Sequence, residues 1–398
     1  MDPGGEGVVR VPSSRYSDID VISPATPTKV LVVSSFTPSL VNFRGPLLRS
    51  LIERGHTVVA TGPKRDDATE AVLAEIGVRF RRVTLDRTGL SPWRDMRYAN
   101  ALWRLLRSER PGAVLAYTIK PVIYGMLASR IARVPIRAGM IEGIGYAFGG
   151  SSRRQRLVGV VAARLYRIGL GSSTTVFFLN PDDRQEFLRR NLVVASKTHV
   201  IAGTGVDLAH YARRPTPRSE APVFLLIARL LREKGIEVFA DAARRVRKHD
   251  PRARFQVLGP FDPHPDGIRR DQIEAWEAEG LIEYLGVAAD VRPILAECSV
   301  FVLPSFYREG LPRTALEALA TGRPIITTDA PGCREAVRHG ENGWLVPPRD
   351  PAALADAMLR FVRDPESIVR MGHASWVLAR ERFDVRRVNG DILRAMSL

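Results

Sequence analysis

The amino-acid sequence predicts an α/β protein with two Rossmann-like domains that face each other across a cleft. Its 398 residues exceed what one hydrophobic core usually supports, so two domains are expected. Short apolar runs alternate with segments of helical periodicity, and the alternation starts again in the second half. Alternation of this kind indicates parallel sheets with helices on both faces.

The first domain is predicted over residues 28–210, after a leader, residues 1–27, that is rich in Pro, Ser and Gly and is expected to be disordered. Its strands are KVLVVSSF, HTVVATG, VRFRRVTL and AVLAYT. Gly55 supplies a C-cap for the first of the helices that follow them. These helices are predicted at 45–55, 68–76, 94–109 and 121–132.

The second domain is predicted over residues 211–375, beginning in a polar, Pro-rich linker at 211–222. Its strands are APVFLLIARL, ARFQVLG, IEYLG, SVFVLPS and PIITTD, with a helix at 234–249 after the first strand. The last segment, residues 376–398, is predicted to be a helix with no sheet of its own to join. We therefore expect it to cross back to the first domain.

Positive charge is concentrated in the first half of the chain. The formal net charge is +16, and residues 1–215 carry 32 Lys and Arg against 17 Asp and Glu. Such an excess favours an anionic partner, either a nucleic acid, an anionic membrane surface or a phosphate-bearing substrate. Nucleic acid is disfavoured, because aromatic residues are not interleaved with a basic run.

Nothing in the sequence predicts secretion or a membrane span. It has no uninterrupted apolar run of about 18 residues and no apolar signal segment at its start. Cys298 and Cys333 lack the spacing of a disulfide framework or a zinc site, which suits a reducing cytoplasm. The segment GSSRRQRLVGVVAARLYRIGLG (150–171) fits either an interfacial helix or a buried core helix.

Two carboxylates flank a turn after the strand SVFVLPS. Glu309 lies at the carboxyl end of this strand, and Glu317 lies in the helix that follows Pro312. Ligands of open parallel sheets bind at this edge, where Gly310 and Leu311 can donate backbone N–H groups to an anion. Ionised carboxylates accept hydrogen bonds from sugar and ribose hydroxyls. A helix cap and a solvated helix face would be the structural alternative.

A pair of cations occurs at the same edge of the second predicted sheet. Arg229 ends a strand, and Lys234 stands five residues on, at the start of a helix. Two cations there can neutralise a diphosphate leaving group, although a basic pair alone is usually a solvated surface. Together with the two carboxylates, the pair predicts a nucleotide-sugar site.

These segments resemble the family 4 retaining glycosyltransferases, which have the GT-B fold and an E-x7-E motif. The resemblance rests on RLLREKG and on SFYREGLPRTALEALATGRPIITTDAPGCREAVRHGENGWLVPP. It implies that Glu309 contacts the transferred sugar and Glu317 the ribose, while Arg229 and Lys234 bind the diphosphate. It also implies a UDP-sugar donor. No cofactor is expected, and no metal is expected if Arg229, Lys234 and helix dipoles hold the diphosphate.

The first half resembles the PglA/CapM-like subgroup of bacterial glycan assembly, through NFRGPLLRSLIERGHTV, YTIKPVIYGMLASRIARVP and MIEGIGYAF. This resemblance implies transfer of a hexose or N-acetylhexosamine to an undecaprenyl-diphosphate-linked saccharide. The product would belong to a capsule, exopolysaccharide or other glycan. The enzyme would be cytoplasmic and bound peripherally to the inner face of the membrane.

The first domain is expected to bind the acceptor, because the donor motifs all fall in the second. Asn42 and Arg44, beside the first helix, and Lys120, just past AVLAYT, are candidates for acceptor binding, and the two cations are placed to meet its diphosphate. Glu142 lies within an apolar, glycine-rich run, where an unpaired carboxylate would be costly. It would either orient or deprotonate the acceptor hydroxyl, or form a structural salt bridge.

Two other enzyme classes fit less well. A nucleotide-sugar 2-epimerase shares this architecture but acts without an acceptor, so it would not need a basic acceptor domain. A dinucleotide-dependent oxidoreductase would carry GxGxxG after the first strand, and KVLVVSSFTPSLVNFRG lacks it. The sequence therefore favours the transferase and keeps the epimerase as its alternative.

Overall fold

A computed structural model describes residues 26–87, 91–144, 153–217 and 221–398, except the side chains of 153–158. Residues 1–25 of the predicted leader lie outside the described residues. So do residues 145–152, which include the end of MIEGIGYAF and the start of the segment at 150–171. Within the described parts, two parallel sheets form two Rossmann-like domains, as the sequence predicts.

In the described chain, the first sheet has seven parallel strands in the order β3-β2-β1-β4-β5-β6-β7. The sequence analysis predicts the first four and misses the last three. The strands are β1 (Lys29–Val33), β2 (Thr57–Gly62), β3 (Arg79–Arg82), β4 (Ala113–Tyr117), β5 (Ile136–Ile141), β6 (Thr175–Phe178) and β7 (Thr198–Val200).

Helices cover both faces of this sheet. Successive residues of β1 point to opposite faces of the sheet, and both faces are covered. Val32 packs in one apolar cluster with the second and third helices of the chain, and Leu31 packs in another cluster with the fourth helix. The helices are α1 (Ser39–Asn42), α2 (Gly45–Glu53), α3 (Asp67–Glu75), α4 (Pro92–Glu109), α5 (Met126–Ile131), α6 (Arg153–Gly171) and α7 (Pro181–Arg189). A π-helical turn, Pro121–Gly125, leads into α5.

The second sheet has six parallel strands among the described residues, in the order β10-β9-β8-β11-β12-β13. The strands are β8 (Val223–Ile227), β9 (Arg254–Leu258), β10 (Glu283–Tyr284), β11 (Val300–Leu303), β12 (Ile325–Thr328) and β13 (Gly343–Val346). Only β13 is absent from the prediction. In both sheets the strand order reverses beside the first strand, which opens a crevice at the carboxyl ends.

The helices of the second half cover its sheet and return to the first domain. They are α8 (Ile236–Arg247), α9 (Arg270–Ala278), α10 (Arg292–Glu297), α11 (Arg313–Thr321), α12 (Pro351–Arg363), α13 (Glu366–Leu378) and α14 (Val385–Ala395). The predicted crossing is observed, because α14 packs against α2 and Arg54 donates to the carbonyl of Leu398 at 3.0 Å. None of the described helices is long and apolar enough to cross a bilayer.

Candidate active site

A cleft of about 690 Å³ lies between the two domains. Its walls bring together five residues that the sequence analysis singles out, one from the first domain and four from the second. These are Asn42, Arg229, Lys234, Glu309 and Glu317. The second-domain members follow β8 and β11, neighbouring strands whose carboxyl ends meet at the strand-order reversal.

Glu309 lies in the loop between β11 and α11 and is held by two donors. Lys234 forms an ion pair with its Oε1, and the Ser305 hydroxyl lies 3.1 Å from the same oxygen. The lysine ammonium also lies 5.2 Å from the ring centroid of Tyr307. Because an ammonium has three hydrogens, Lys234 can keep its bond to Glu309 and still donate to a phosphate oxygen.

Glu317 sits deeper, at 5% exposure, on the inner face of α11. The Tyr211 hydroxyl donates to its Oε1 at 2.9 Å, and Nε of Arg313 donates to the same oxygen at 2.8 Å. Burial raises the pKa of this carboxyl, and both donors act against that rise. Since both bonds end on Oε1, Oε2 can accept a hydrogen bond from a ligand hydroxyl.

The remaining donor-side residues differ in their exposure. Arg229 is mostly exposed and pairs with Asp262 at 2.7 Å. Gly310 and Leu311 do not line the cleft but pack where the domains touch. A Cβ on Gly310 would lie 2.2 Å from the carbonyl oxygen of Glu142, and one on Gly203 would lie 2.6 Å from the side chain of Leu311.

In the first domain, Arg44 and Glu142 form an ion pair with each other. The arginine is buried at 1% exposure, donates to the sulfur of Met140 at 2.8 Å and lies over the ring of Tyr117. The glutamate is about a quarter exposed. The structural salt bridge proposed for Glu142 therefore exists, and its exposed part leaves room for a second role.

Lys120 lies outside the cleft lining, in a cluster that ties the end of β4 to α4. Its ammonium donates to Asp95 Oδ1 and to the carbonyl of Asp86, both at 2.7 Å. Tyr124 donates to the other oxygen of Asp95 at 3.0 Å, and burial raises the pKa of the tyrosine. Its role in acceptor binding remains a prediction.

Several residues that sequence reasoning missed also line the cleft: Phe43, His210, Tyr211, Arg292 and Arg313. Arg313 could have been found, because it stands four residues before Glu317 on one helix face. Tyr211 could not, because 106 residues separate it from the carboxylate that it contacts.

Cys333 is buried behind the loop between β11 and α11, and its side chain is inert. Burial raises the pKa of its thiol to about 12, which keeps it protonated and unreactive. Among the described residues, no three His, Cys, Asp or Glu side chains form a group that could hold a metal.

Comparison with protein families matches both domains. Residues 44–204 match the model described as glycosyl transferase 4-like domain, and residues 221–364 match the model described as glycosyl transferases group 1. The second match spans the site from Arg229 to Glu317, and the first spans Arg44, Lys120 and Glu142. The two matches therefore place the described cleft between two known domain types.

Two bacterial enzymes are similar to this chain over most of its length. An N,N'-diacetylbacillosaminyl-diphospho-undecaprenol alpha-1,3-N-acetylgalactosaminyltransferase of Campylobacter jejuni is 26% identical over 82% of this chain and 87% of its own. A UDP-Gal:alpha-D-GlcNAc-diphosphoundecaprenol alpha-1,3-galactosyltransferase of Escherichia coli is 28% identical over 76% of this chain and 78% of its own.

Solved structures share the fold across nearly the whole chain. Anabaena Alr3699/HepE, crystallised with UDP, superposes with a TM-score of 0.75 at 20% identity and covers 93% of this chain and 99% of its own. Sucrose-phosphate synthase of Thermosynechococcus elongatus superposes with a TM-score of 0.74 at 19% identity and the same coverage. Both likenesses establish the two-domain architecture.

Proposed function

This chain belongs to the family 4 glycosyltransferases of the GT-B fold, and we propose that it transfers a hexose or N-acetylhexosamine from a UDP-sugar to an undecaprenyl-diphosphate-linked saccharide, with retention of configuration. The observation that carries the donor assignment is the convergence of Arg229, Lys234, Glu309 and Glu317 on one cleft. The acceptor assignment is supported by the Campylobacter jejuni and Escherichia coli relatives, whose names specify undecaprenyl-linked acceptors.

On the donor side, each charged residue has a separate task. Lys234 and Arg229 bind the diphosphate and stabilise the negative charge that develops on it as the sugar leaves. The N-terminus of α11, with Pro312 and Arg313 on the cleft wall, adds a positive dipole. Glu309 orients the sugar, and Glu317 accepts a ribose hydroxyl. These cations and dipoles supply the charge neutralisation, so no metal is required in this proposal.

Glu142 is the group of the first domain that we assign to the acceptor. Its main-chain oxygen meets Gly310, the residue next to Glu309, and its side chain is partly exposed. This carboxylate forms an ion pair with Arg44. Glu142 would hold the acceptor hydroxyl by accepting its hydrogen bond, while the departing diphosphate assists removal of the proton.

We further propose that the first domain docks peripherally on the cytoplasmic face of an anionic membrane. The helices α4 and α6 both pack against residues 121–131, so they lie on one side of the sheet. Arginines and exposed apolar side chains alternate along them, which suits anionic headgroups and the acyl boundary. The exposed apolar residues are Trp93, Met96, Trp103, Val160, Val161 and Ile168.

A release assay tests the proposed reaction. The protein is incubated with a panel of UDP-sugars in EDTA, with and without a short-chain polyprenyl-diphosphate-linked sugar. UDP release that requires the acceptor would establish the transferase and identify its donor. Interconversion of the UDP-sugar without transfer would replace the proposal with an epimerase.

A further inference from the structure

The first domain contacts the second directly at the start of α7. Asn180, which is fully buried, precedes this helix and caps it by accepting a hydrogen bond from the backbone N–H of Asp183 at 2.8 Å. Its amide Nδ2 points the other way and donates to the carbonyls of Gly310 at 2.7 Å and Glu309 at 3.2 Å. One side chain of the first domain thus binds the main chain that carries the donor-side glutamate.

The orientation of this amide is fixed by its neighbours. Nδ2 also donates to Oδ2 of Asp183 at 3.1 Å, so three acceptors surround the nitrogen and one backbone donor faces the oxygen. A flipped amide would place its oxygen against those three oxygens and its nitrogen against the donor. Only an amide can both cap α7 and hold this loop.

Glycines hold the same stretch of main chain between the two domains. A Cβ on Gly310 would lie 2.2 Å from the carbonyl oxygen of Glu142, and a Cβ on Gly332 would lie 2.3 Å from that of Glu309. Gly143 adopts φ +129 and faces the backbone N–H of Gly310. The main chain at Glu309 is therefore confined by first-domain backbone on one side and second-domain backbone on the other.

Two ion pairs cross the domain boundary beside these contacts. Arg334 of the second domain pairs with Asp182 at 2.8 Å, and Arg308 lies 3.8 Å from the buried Asp183. Both acids belong to the first turn of α7. Two further first-domain residues next to Asn180 thus contact the second domain, which adds to the hold on the loop that carries Glu309.

We propose that Asn180 is a positioning residue for sugar transfer, which holds the main chain at Glu309 in its working geometry from the first domain. The proposal rests on the proposed function, in which Glu309 orients the donor sugar. It predicts that loss of the Asn180 amide slows transfer more than it weakens UDP binding, because Arg229, Lys234 and Glu317 all belong to the second domain.

The substitution Asn180→Asp separates the two tasks of this side chain. Aspartate keeps the size and caps helices as well as asparagine, but it cannot donate to the two carbonyls. We expect kcat to fall about 10-fold or more and Kd for UDP to change by less than about 3-fold. The control is Asn191→Asp, the same chemical change at an exposed position, where both constants should stay at wild-type values.

Hydrogen–deuterium exchange provides a readout that does not depend on turnover. Peptides covering 306–312 should exchange faster in Asn180→Asp than in the wild type or in Asn191→Asp. If the aspartate variant does not fold, Asn180→Ser replaces it, since serine also caps helices but is too short to reach the loop. Wild-type exchange at 306–312 and kcat within about 2-fold of wild type in the folded variant would overturn the proposal.

The two hypotheses can fail separately. If the wild type transfers no sugar to any acceptor, the proposed function fails, and the exchange experiment still decides whether Asn180 holds the loop. If the wild type is active and Asn180→Asp reduces kcat and UDP affinity by equal factors, Asn180 supports the fold of the cleft and does not position Glu309.

Discussion

The donor wall of the cleft and the first domain that faces it use charge in different ways. On the donor wall, Lys234 and Glu309 meet at the cleft surface, where a ligand can reach both. In the first domain, Arg44 is buried and paired with Glu142, and Lys120, which lies outside the cleft lining, is paired with Asp95. The first domain carries nearly all of the excess positive charge, yet its predicted acceptor cations lie in internal ion pairs.

This difference shows that the charge at a binding site and the net charge of a whole domain serve separate purposes. The proposed donor site needs few charges, because two neighbouring strand ends and one helix N-terminus concentrate them at one edge. In the first domain, the helices α4 and α6 carry nine Arg against two acidic residues, which suits an anionic surface partner. Residue counts therefore predict which domain meets an anionic surface, and motifs predict where the chemistry takes place.

Removing either member of the donor pair should have the largest effect. Glu309→Gln and Lys234→Ala should each lower kcat by about 100-fold or more, because each removes a positioned charge from the site where the sugar separates from the diphosphate. Steady-state rates of UDP release measure this. The controls are Glu341→Gln and Lys248→Ala, exposed second-domain positions outside the cleft, which should turn over normally. Near-normal turnover in both donor-site variants would mean that the chemistry lies elsewhere.

The donor wall was predictable because its determinants lie close together in sequence. Glu309, Pro312 and Glu317 all follow β11 within one strand–turn–helix unit, whose apolar run and turn residues are visible in the letters. The strands β5 to β7 were missed for local reasons too. IRAGMI contains an arginine and a glycine, and TVFF and THV are too short to show a period.

The contacts that complete the site could not be predicted, because they join distant parts of the chain. Asn180 meets Gly310 across 130 residues, and Tyr211 meets Glu317 across 106. The sequence predicts Arg44 to be a cation at the start of a helix. In the structure it is buried and pairs with Glu142, which lies 98 residues away in the chain. Such pairings depend on how the two sheets and their connections pack, which periodicity does not encode.

Asp183, in the first turn of α7 where the two domains touch, should make stability depend on pH. Burial raises the pKa of this carboxyl from 3.8 to about 6, so the folded state holds its proton more tightly than the unfolded state does. Its contribution is full below about pH 4 and is lost as pH rises through about 6, a change of about 3 kcal/mol.

Asp183→Asn removes this titration. Urea denaturation of both proteins at several pH values between about 4 and 7 measures the effect. The free energy of unfolding of the wild type, relative to that of the variant, should fall as pH rises. A difference that stays constant over this range would show that Asp183 is ionised throughout, and the boundary would then hold a permanent charge.

Glu142→Gln tests how far the ion pair between Glu142 and Arg44 is structural. It removes the negative charge opposite the buried guanidinium of Arg44, which keeps only a neutral amide oxygen, the sulfur of Met140 and the face of Tyr117 as partners. We expect a loss of about 2 kcal/mol in the free energy of unfolding, less than for a fully buried pair because Glu142 is partly exposed. The control is Asp241→Asn, which breaks an exposed pair with Arg244 and should cost less than about 0.5 kcal/mol.

The same variant also tests the acceptor role. If Glu142 holds the acceptor hydroxyl, kcat falls at a temperature where the variant is fully folded. Unchanged kcat together with lost stability would leave Glu142 with a structural role alone. The hydroxyl would then depend on the departing diphosphate alone as its proton acceptor.

Membrane binding should give the smallest effect, and it tests the net charge separately from the site. The bound fraction on vesicles containing anionic lipid should fall several-fold between about 0.05 and 0.5 M NaCl, because salt screens exposed arginines. Trp93→Ser should lower binding at either salt concentration, since it removes an apolar side chain that is 62% exposed on α4. Val369→Ser, which removes an exposed apolar side chain from the second domain, should leave binding unchanged. Equal binding at both salt concentrations would contradict docking through the basic domain, and its charge would then serve only the acceptor's diphosphate.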